Sequence, residues 1–266
     1  KTGFLTGGKI DASSGEKLLA NISGLDWLKD SDKSVVFSVI IGGEEVDGKV
    51  VGGEEKVISF NGYNTVDDVV AKFKEAGLEA KFDTASKRFF ISAKGTGKEA
   101  DFHIKTAELR EVPEKQVPTT ATTEDELAEM ERANAERDRI IAANNAIIKA
   151  GGVTGLQEVP DEEVINFSDS PEMVAKKNAA NAVRDSIIAA NNKKIKEDAS
   201  IEDANKSFKE DFGKAFKALG LLTEDMANEC GVTFTQAEKD AGKVDCRSGC
   251  CHQLKRRYVY VLHEHL

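Results

Sequence analysis

Residues that could bind a metal ion or form disulfide bonds are concentrated near the C-terminal end of this chain. All four cysteines and three of the four histidines lie there: Cys230, Cys246, Cys250, Cys251, His252, His263 and His265. Zinc sites usually present two Cys-x2-Cys pairs, or their Cys/His equivalents, separated by a loop. From Cys246 the order is Cys-x3-Cys-Cys-His, which does not match that spacing. We therefore expect no metal site, and a native disulfide-bonded tail stays open as an alternative.

Groups suited to catalysis are not marked by spacing elsewhere in the sequence. His103 follows Asp and Phe in a predicted strand, and we expect it to face outward rather than act as a base. The acidic clusters Glu54-Glu55 and 161–163 are expected to form solvated faces. The diglycines at 42–43 and 52–53 lack the Gly-x4-Gly-Lys spacing of a phosphate loop and are interpreted as hairpin turns. The sequence predicts no enzyme, no catalytic residue, no cofactor and no metal.

Length and charge restrict the classes of protein that fit. The chain has 266 residues, a net charge of −10 and a pI of about 5.1. Two domains are expected at this length, and nucleic-acid binding is disfavoured because it needs clustered Lys and Arg. No apolar run approaches the roughly 18 residues of a membrane span. The chain begins at Lys1 without a secretory signal, so we expect it to be a fragment or a trimmed form.

The first hundred residues carry alternating strand and helix signals. Strands are predicted at 35–41, 46–51 and 57–60, and residues 18–19 and 25–28 are expected to pack on the module to which these strands belong. Thr65 and Asp68 then form a capping-box pair that begins a helix, and Gly77 ends it. The helix is followed by a strand with alternating apolar residues, a turn at 83–86 and a second strand at 88–92. We expect residues 35–104 to form one module with a shared core: Phe37, Val69, Phe73, Phe82 and Ile91.

An internal repeat follows a polar linker. Residues 134–149 and 181–196 match at 12 of 16 positions with an offset of 47. Thr123, paired with Glu126, and Ser170, followed by Pro171, are predicted to cap two helices. We expect residues 123–149 and 171–196 to pack side by side as an antiparallel pair.

Two further features belong to this helical region. The paired amides Asn144-Asn145 and Asn191-Asn192 are expected at the surface or at the edge of the helical seam, with burial as register-setting groups as the alternative.

A third helix is predicted over 201–219, with a stripe of phenylalanines that is more typical of a core than of a ligand groove. Gly220 ends it, and Thr235 with Glu238 is expected to cap one more short helix.

The order of elements over residues 35–104 resembles the repeated middle module of the bacterial flagellar filament cap protein, the hook-associated protein 2 family. The matching features are Thr65, Gly77, Ala80-Lys81-Phe82-Asp83, the aromatic strand at 88–92 and Thr96-Gly97. Leu219-Gly220-Leu221 also resembles a Leu-Gly-Leu that precedes the family's second module.

The resemblance implies an extracellular structural protein at the tip of the flagellar filament, exported without a cleaved signal peptide. Family members self-assemble into a homo-oligomeric ring and promote flagellin polymerisation, and many contact host surfaces. The implied partners are flagellin, other hook-associated proteins and host surface glycans, with no membrane or nucleic acid. The alternatives are a surface adhesin or carbohydrate-binding module, for which Trp27 is the candidate platform, or a variable outer domain of flagellin.

The last segment, 245–266, departs from the rest of the chain. It holds four Lys/Arg against two Asp/Glu, so the remaining residues carry −10 − 2 = −12. In a +1 reading frame, permitted codons for this segment can spell a motif that resembles the one the cap family carries after its Leu-Gly-Leu. We interpret 245–266 as the product of a frame slip, and not as a functional site.

These observations predict an α+β fold, with a mainly antiparallel sheet module, one packing helix and an inserted helical hairpin domain. The expected divisions are a β-rich module, a linker, the helical insertion, the start of a second module and the aberrant tail: 1–111, 112–123, 124–222, 223–244 and 245–266.

Overall fold

The computed structural model describes residues 3–29, 33–46, 49–97, 100–151 and 153–240. The fold is α+β, with two three-stranded antiparallel sheets and helices concentrated in the second half of the chain. Within the described residues no helix is long and apolar enough to cross a membrane. The tail at 245–266 lies outside these residues, so its interpretation stays a prediction.

The elements alternate early and become helical late. The strands are β1 (Phe4–Thr6), β2 (Ser34–Ile41), β3 (Glu44–Val46), β4 (Lys49–Val51), β5 (Glu54–Asn61), β6 (Leu78–Asp83), β7 (Arg88–Ala93) and β8 (Phe102–Thr106). The helices are α1 (Val66–Glu75), α2 (Glu124–Ala150), α3 (Pro171–Glu197), α4 (Ala199–Ala218), α5 (Glu224–Cys230) and α6 (Gln236–Asp240). One sheet has the order β1-β7-β6, another has β5-β2-β8, and β3 pairs with β4.

Contacts divide the chain into two compact units. One contains residues 36–59 and 101–209, and the other contains 2–35, 60–100 and 210–266. The single module expected over 35–104 is therefore wrong, because α1, β6 and β7 belong to one unit whereas β8 and most of β2 belong to the other. The reason is that β2 pairs with β8, and an apolar strand pattern predicts burial without specifying the neighbouring strand.

The unit that contains α1 is built on the predicted helix and strand pair. The Thr65 N–H donates to Asp68 Oδ2 at 2.7 Å and the Asp68 N–H donates to Thr65 Oγ1 at 3.1 Å, which confirms the capping box. Gly77 follows the helix with φ 99°, as a left-handed C-terminal position requires. The β6–β7 pair places Leu78 and Ile91 in the core. Phe82 is only half-buried, contrary to expectation.

The residues before β2 pack in this same unit, as expected. The Leu19 N–H donates to the carbonyl of Asn64 at 2.8 Å, which ties the N-terminal segment to the start of α1. The side chains of Leu19, Leu25 and Leu28 are fully buried. Segment 17–28 therefore contributes to the core of this unit.

The other unit corrects the prediction of a single middle strand at 46–51. That stretch belongs instead to two antiparallel strands, β3 and β4, with Val46 opposite Lys49. The diglycines before and after this pair have φ values of 73° to 82°, which agrees with the turns expected there. The sequence between the strands is Asp47-Gly48, a dipeptide that favours hairpin turns, and its structure lies outside the described residues.

Replacing Phe73 with Ala should destabilise the unit that contains α1 by about 3–5 kcal/mol, because its ring is fully buried. Chemical denaturation would measure the change. Glu79→Ala, at an exposed position on β6, should change the unfolding free energy by no more than about 0.5 kcal/mol. A loss for Phe73→Ala no larger than that control would mean that α1 does not pack on its sheet.

Candidate functional site: the asparagine-clamped repeat

The repeat in the second half of the chain is larger than its helices. Leu-Arg-Glu-Val-Pro-Glu begins at Leu109 and Leu-Gln-Glu-Val-Pro-Asp begins at Leu156, again with an offset of 47. Both stretches precede their helices and neither pairs as a strand. We call residues 109–116 the first extended segment and 156–163 the second. Each repeat is therefore an extended segment, a turn and a long helix.

The helices begin where the sequence predicts. Thr123 and Glu126 form a reciprocal capping box at the start of α2, with the Thr123 N–H donating to Glu126 Oε2 at 2.8 Å. Ser170 caps α3 by accepting from the Met173 N–H at 3.2 Å, and Pro171 occupies the first turn. Both sequence-predicted helix starts are confirmed.

Each extended segment is held by an asparagine of its own helix. The Arg110 N–H donates to Asn144 Oδ1 at 3.1 Å, and Asn144 Nδ2 donates back to the Arg110 carbonyl at 2.7 Å. Asn191 binds Gln157 in the same way, at 3.1 and 2.7 Å. A side-chain amide has one donor group and one acceptor, so it reproduces the pair of bonds that a neighbouring strand would make.

The adjacent asparagines reach across to the other repeat. Asn145 binds the N–H and C=O of Val159 at 2.8 and 2.7 Å, and Asn192 binds those of Val112 at the same distances. Each extended segment is therefore clamped by both helices. Asn145 of the first repeat binds the second segment, and its equivalent, Asn192 of the second repeat, binds the first segment. This reciprocal contact relates the two repeats by a pseudo-twofold axis.

Further asparagines extend the clamps along both segments. Asn134 binds Gln116 at 2.9 and 2.8 Å, and its equivalent Asn181 binds Glu163 at 2.9 Å in both directions. Asn205 of α4 binds Leu109 at 2.9 and 3.2 Å, so a third helix also holds the first extended segment.

The side chains of Asn144 and Asn191 are buried, and those of Asn145 and Asn192 are half-buried. The expectation of surface or seam-edge amides is wrong at Asn144 and Asn191, and the alternative of buried register-setting groups fits them. Helix periodicity could not identify the hydrogen-bond partners of Asn144 and Asn191, because these partners lie 34 residues earlier, in the extended segments. The matched Leu-x-Glu-Val-Pro stretches were the signal that was missed.

The two helices pack side by side, as predicted, but they run parallel. Ile140 and Ile141 of α2 share one apolar cluster with Ile188 of α3. Asn144 and Asn192 bind residues two apart on the first extended segment, and Arg137 contacts Asp185 at the same relative height. At both levels, the residue of α3 that meets a residue of α2 has a number about 47 higher. The two helix axes must therefore run in the same direction. Each extended segment returns the chain to the end from which its helix starts.

Buried arginines lie between the two helices. Arg137 and Arg184 are 3% and 5% exposed. Arg137 lies 3.4 Å from Asp138 and 3.7 Å from Asp185, and Arg184 lies 3.7 and 3.9 Å from the same two carboxylates. The Arg184 Nε also donates to the Pro160 carbonyl at 3.0 Å.

Lys115 and Glu162, which occupy equivalent positions in the two extended segments, form an ion pair with each other. The hydrogen bond from Lys115 holds the pKa of Glu162 below its usual range, and the charges of Lys115, Arg184 and Arg137 act in the same direction. The pair therefore joins the extended segments directly, in addition to the asparagines that join each of them to the helices.

Glu55 corrects the prediction of a solvated acidic face at 54–55. Its side chain is 5% exposed, and its Oε2 lies 2.8 Å from Arg110 and 3.7 Å from Arg139. Arg139 also donates to the carbonyls of Gly52 at 3.0 Å and Val50 at 3.4 Å. The β4–β5 turn therefore lies against α2. The residues of the other acidic cluster, 161–163, are exposed as expected.

The remaining sequence candidates do not form a chemical centre in the described part of the chain. His103 is 9% exposed and lies between buried Phe102 and Ile104, so the expectation of an outward side chain is wrong. Cys230 is half-buried, and the three later cysteines lie outside the described residues. The described residues contain no group of three or more His, Cys, Asp or Glu side chains that could hold a metal.

Trp27, the candidate platform for a carbohydrate ring, is half-buried. Its indole N–H donates to the Gly24 carbonyl at 3.1 Å, and the Lys33 ammonium lies 5.9 Å from the ring centroid. These contacts fix the ring and cover part of its surface.

Comparison with models of protein families, with curated proteins and with solved structures finds no match to this chain.

Replacing Asn144 with Ala should lower the unfolding free energy by about 1–3 kcal/mol, because it leaves the partly buried backbone N–H and C=O groups of Arg110 without their partner. Asn144→Asp should cost at least as much, since its oxygen would face the Arg110 carbonyl although its volume is unchanged. Chemical denaturation measures both changes, with Asn178→Ala on the exposed face of α3 as the control. A native-like Asn144→Asp variant would contradict the clamp.

Glu162→Gln should reduce stability at neutral pH and not in acid. Because the folded pKa of Glu162 lies below its unfolded value, near 4.5, the carboxylate stabilises the fold above that value. The contribution should disappear as pH falls through the folded pKa. Thermal unfolding of both proteins between pH 7 and pH 2 would measure the difference. Lys115→Met should give the same pH dependence, and a constant difference at all pH values would contradict the assignment.

Proposed function

We propose that this chain is a structural part of a bacterial flagellar filament cap, of the hook-associated protein 2 family. It assembles with copies of itself outside the cell at the filament tip and promotes flagellin polymerisation. The proposal carries the expected partners with it: flagellin, other hook-associated proteins and host surface glycans.

The observation that carries the proposal is the order of elements around α1. The residues behind the resemblance each hold a defined place: Thr65 caps the helix, Gly77 ends it, and Asp83 closes the turn between β6 and β7. The Ser86 N–H donates to Asp83 Oδ2 at 2.7 Å, and the Ser86 hydroxyl donates to the same oxygen at 2.5 Å. A cap module needs this rigid helix-and-strand-pair unit, and it is what the motif residues build locally.

A second support is the use of polar side chains in the repeat. Asparagine amides and arginine guanidinium groups bind the chain's own backbone and carboxylates at 2.6–3.9 Å. Such groups rigidify a scaffold and fix its register. Internal rigidity of this kind fits a structural role.

Binding to filament ends is the sharpest test of the proposed function. The purified chain is incubated with preformed flagellin filaments and pelleted with them, before and after the filaments are sheared. A cap protein should bind in proportion to the number of ends, so shearing to one tenth of the length should raise the bound amount about tenfold. Monomeric flagellin should also polymerise faster in its presence.

The control for this experiment is the total mass of filament, which shearing does not change. Bound protein that follows mass rather than ends would indicate binding to the filament side. Neither that outcome nor an absence of binding is compatible with a cap.

A further inference from the structure

Phe167 is presented to solvent on a fixed turn. Phe167 is fully exposed, and Val164, three residues before it, is 68% exposed. The Asn166 N–H donates to Asp169 Oδ2 at 2.8 Å, and Lys177 Nζ donates to the same carboxylate at 2.8 Å and to the Val164 carbonyl at 2.7 Å. Burying a large, solvent-exposed aromatic ring against another surface is favourable, because it removes apolar area from water.

The turn itself does not need an aromatic ring. In the first repeat the equivalent turn is closed in a similar way, with the Thr119 N–H donating to Thr122 Oγ1 at 2.9 Å. The position equivalent to Phe167 there is Thr120. Phe167 therefore contributes to something other than the local fold.

A shallow apolar groove of about 390 Å³ runs along α3. Its lining residues are Gln157, Ala182, Val183, Ser186, Ile187 and Ala190. The equivalent face of α2 is a packing surface, where Arg139, the counterpart of Ser186, contacts the β4–β5 turn. On α3 the charged residues of that face are replaced by small and apolar ones, and Val183 is 58% exposed.

The ring cannot reach this groove within one chain. Phe167 precedes α3, and even Ala182, the groove residue on α3 nearest to the turn in sequence, lies 11 residues beyond Pro171, which is about 17 Å along a helix that rises 1.5 Å per residue. A phenylalanine side chain spans only a small part of that distance. The two surfaces can therefore meet only between copies.

The charges around the two surfaces are complementary. Residues 161–172, around Phe167, contain five Asp or Glu and no Lys or Arg. Glu162 and Asp169 pair with Lys115 and Lys177 of the same chain, and the other three, Asp161, Glu163 and Glu172, are exposed. Residues 186–196 contain three lysines and no acidic residue. Lys193 and Lys194 follow Ala190 by three and four positions, so they continue the same face of α3. Opposite charges at the rims favour this pairing and speed the encounter.

We propose that the Phe167 turn of one copy docks in the α3 groove of a second copy. The contact joins two different surfaces, so it is heterologous and extends into a ring or an open chain. This inference goes beyond the proposed function, because it assigns contact residues and does not depend on flagellin.

Sedimentation velocity of the full chain over a range of concentrations tests the contact. Phe167→Ala should weaken self-association at least tenfold, and Thr120→Ala, at the equivalent turn of the first repeat, should leave it unchanged. Association of the native chain should weaken as salt rises, because screening removes the attraction between the acidic and basic rims. A monomeric native chain would overturn the proposal and leave the groove to a different occupant.

Complementation identifies the two surfaces separately. Ala190→Glu places a carboxylate in the groove and should abolish self-association, as Phe167→Ala does. A mixture of the two variants should form heterodimers that do not extend, since one supplies an intact groove and the other an intact Phe167 turn. Unchanged melting temperatures verify folding. Failure of the mixture to associate would overturn the docking contact, whereas loss of filament-end binding alone would overturn only the proposed function.

Discussion

An extended backbone that packs against helices and is buried at some of its residues, here Leu109, Val112, Leu156 and Val159, must find hydrogen-bond partners for its N–H and C=O groups. The segments 109–116 and 156–163 have no neighbouring strand, and asparagine amides take its place. The parallel course of α2 and α3 follows from this requirement, because each segment must lie within reach of amides from both helices. Val112 and Val159 each precede a proline, which favours the extended conformation that the clamps need.

The neutralisation of the buried arginines also depends on the parallel packing of α2 and α3. The parallel helices bring Arg137 and Arg184 together at equal height, where two buried guanidinium groups would repel each other. Asp138 and Asp185 contact both of them, and the Lys115–Glu162 pair lies on the neighbouring extended segments. The buried cations are tolerable because each one has carboxylates within 4 Å. The ionic layer and the amide clamps therefore specify the same register.

Local signals predicted the parts of this protein that local physics determines. The starts of α1, α2 and α3 followed from Thr65, Thr123 and Ser170, because a cap interacts within one turn of its helix. Glu55 and Asn144 were misjudged because their partners lie 55 and 34 residues away along the chain. The hydrophobic periodicity of a helix or strand carries no information about contacts between residues so far apart in the sequence. The direction of α3 depended in turn on those amide contacts, so it could not be read from the helix pattern.

Because the clamps are shared, one repeat, an extended segment with its helix, is not expected to fold alone. The unit that folds contains both repeats. Each extended segment takes amides from both helices, so a single repeat would leave part of its backbone without partners. A chain with one such repeat would be complete only when paired with an identical chain about a true twofold axis. The repeat region, residues 109–196, is in this sense a covalently joined dimer. Its two halves differ on the outside, where Ser186 stands in the place of Arg139, whereas the inner amide contacts are the same in both.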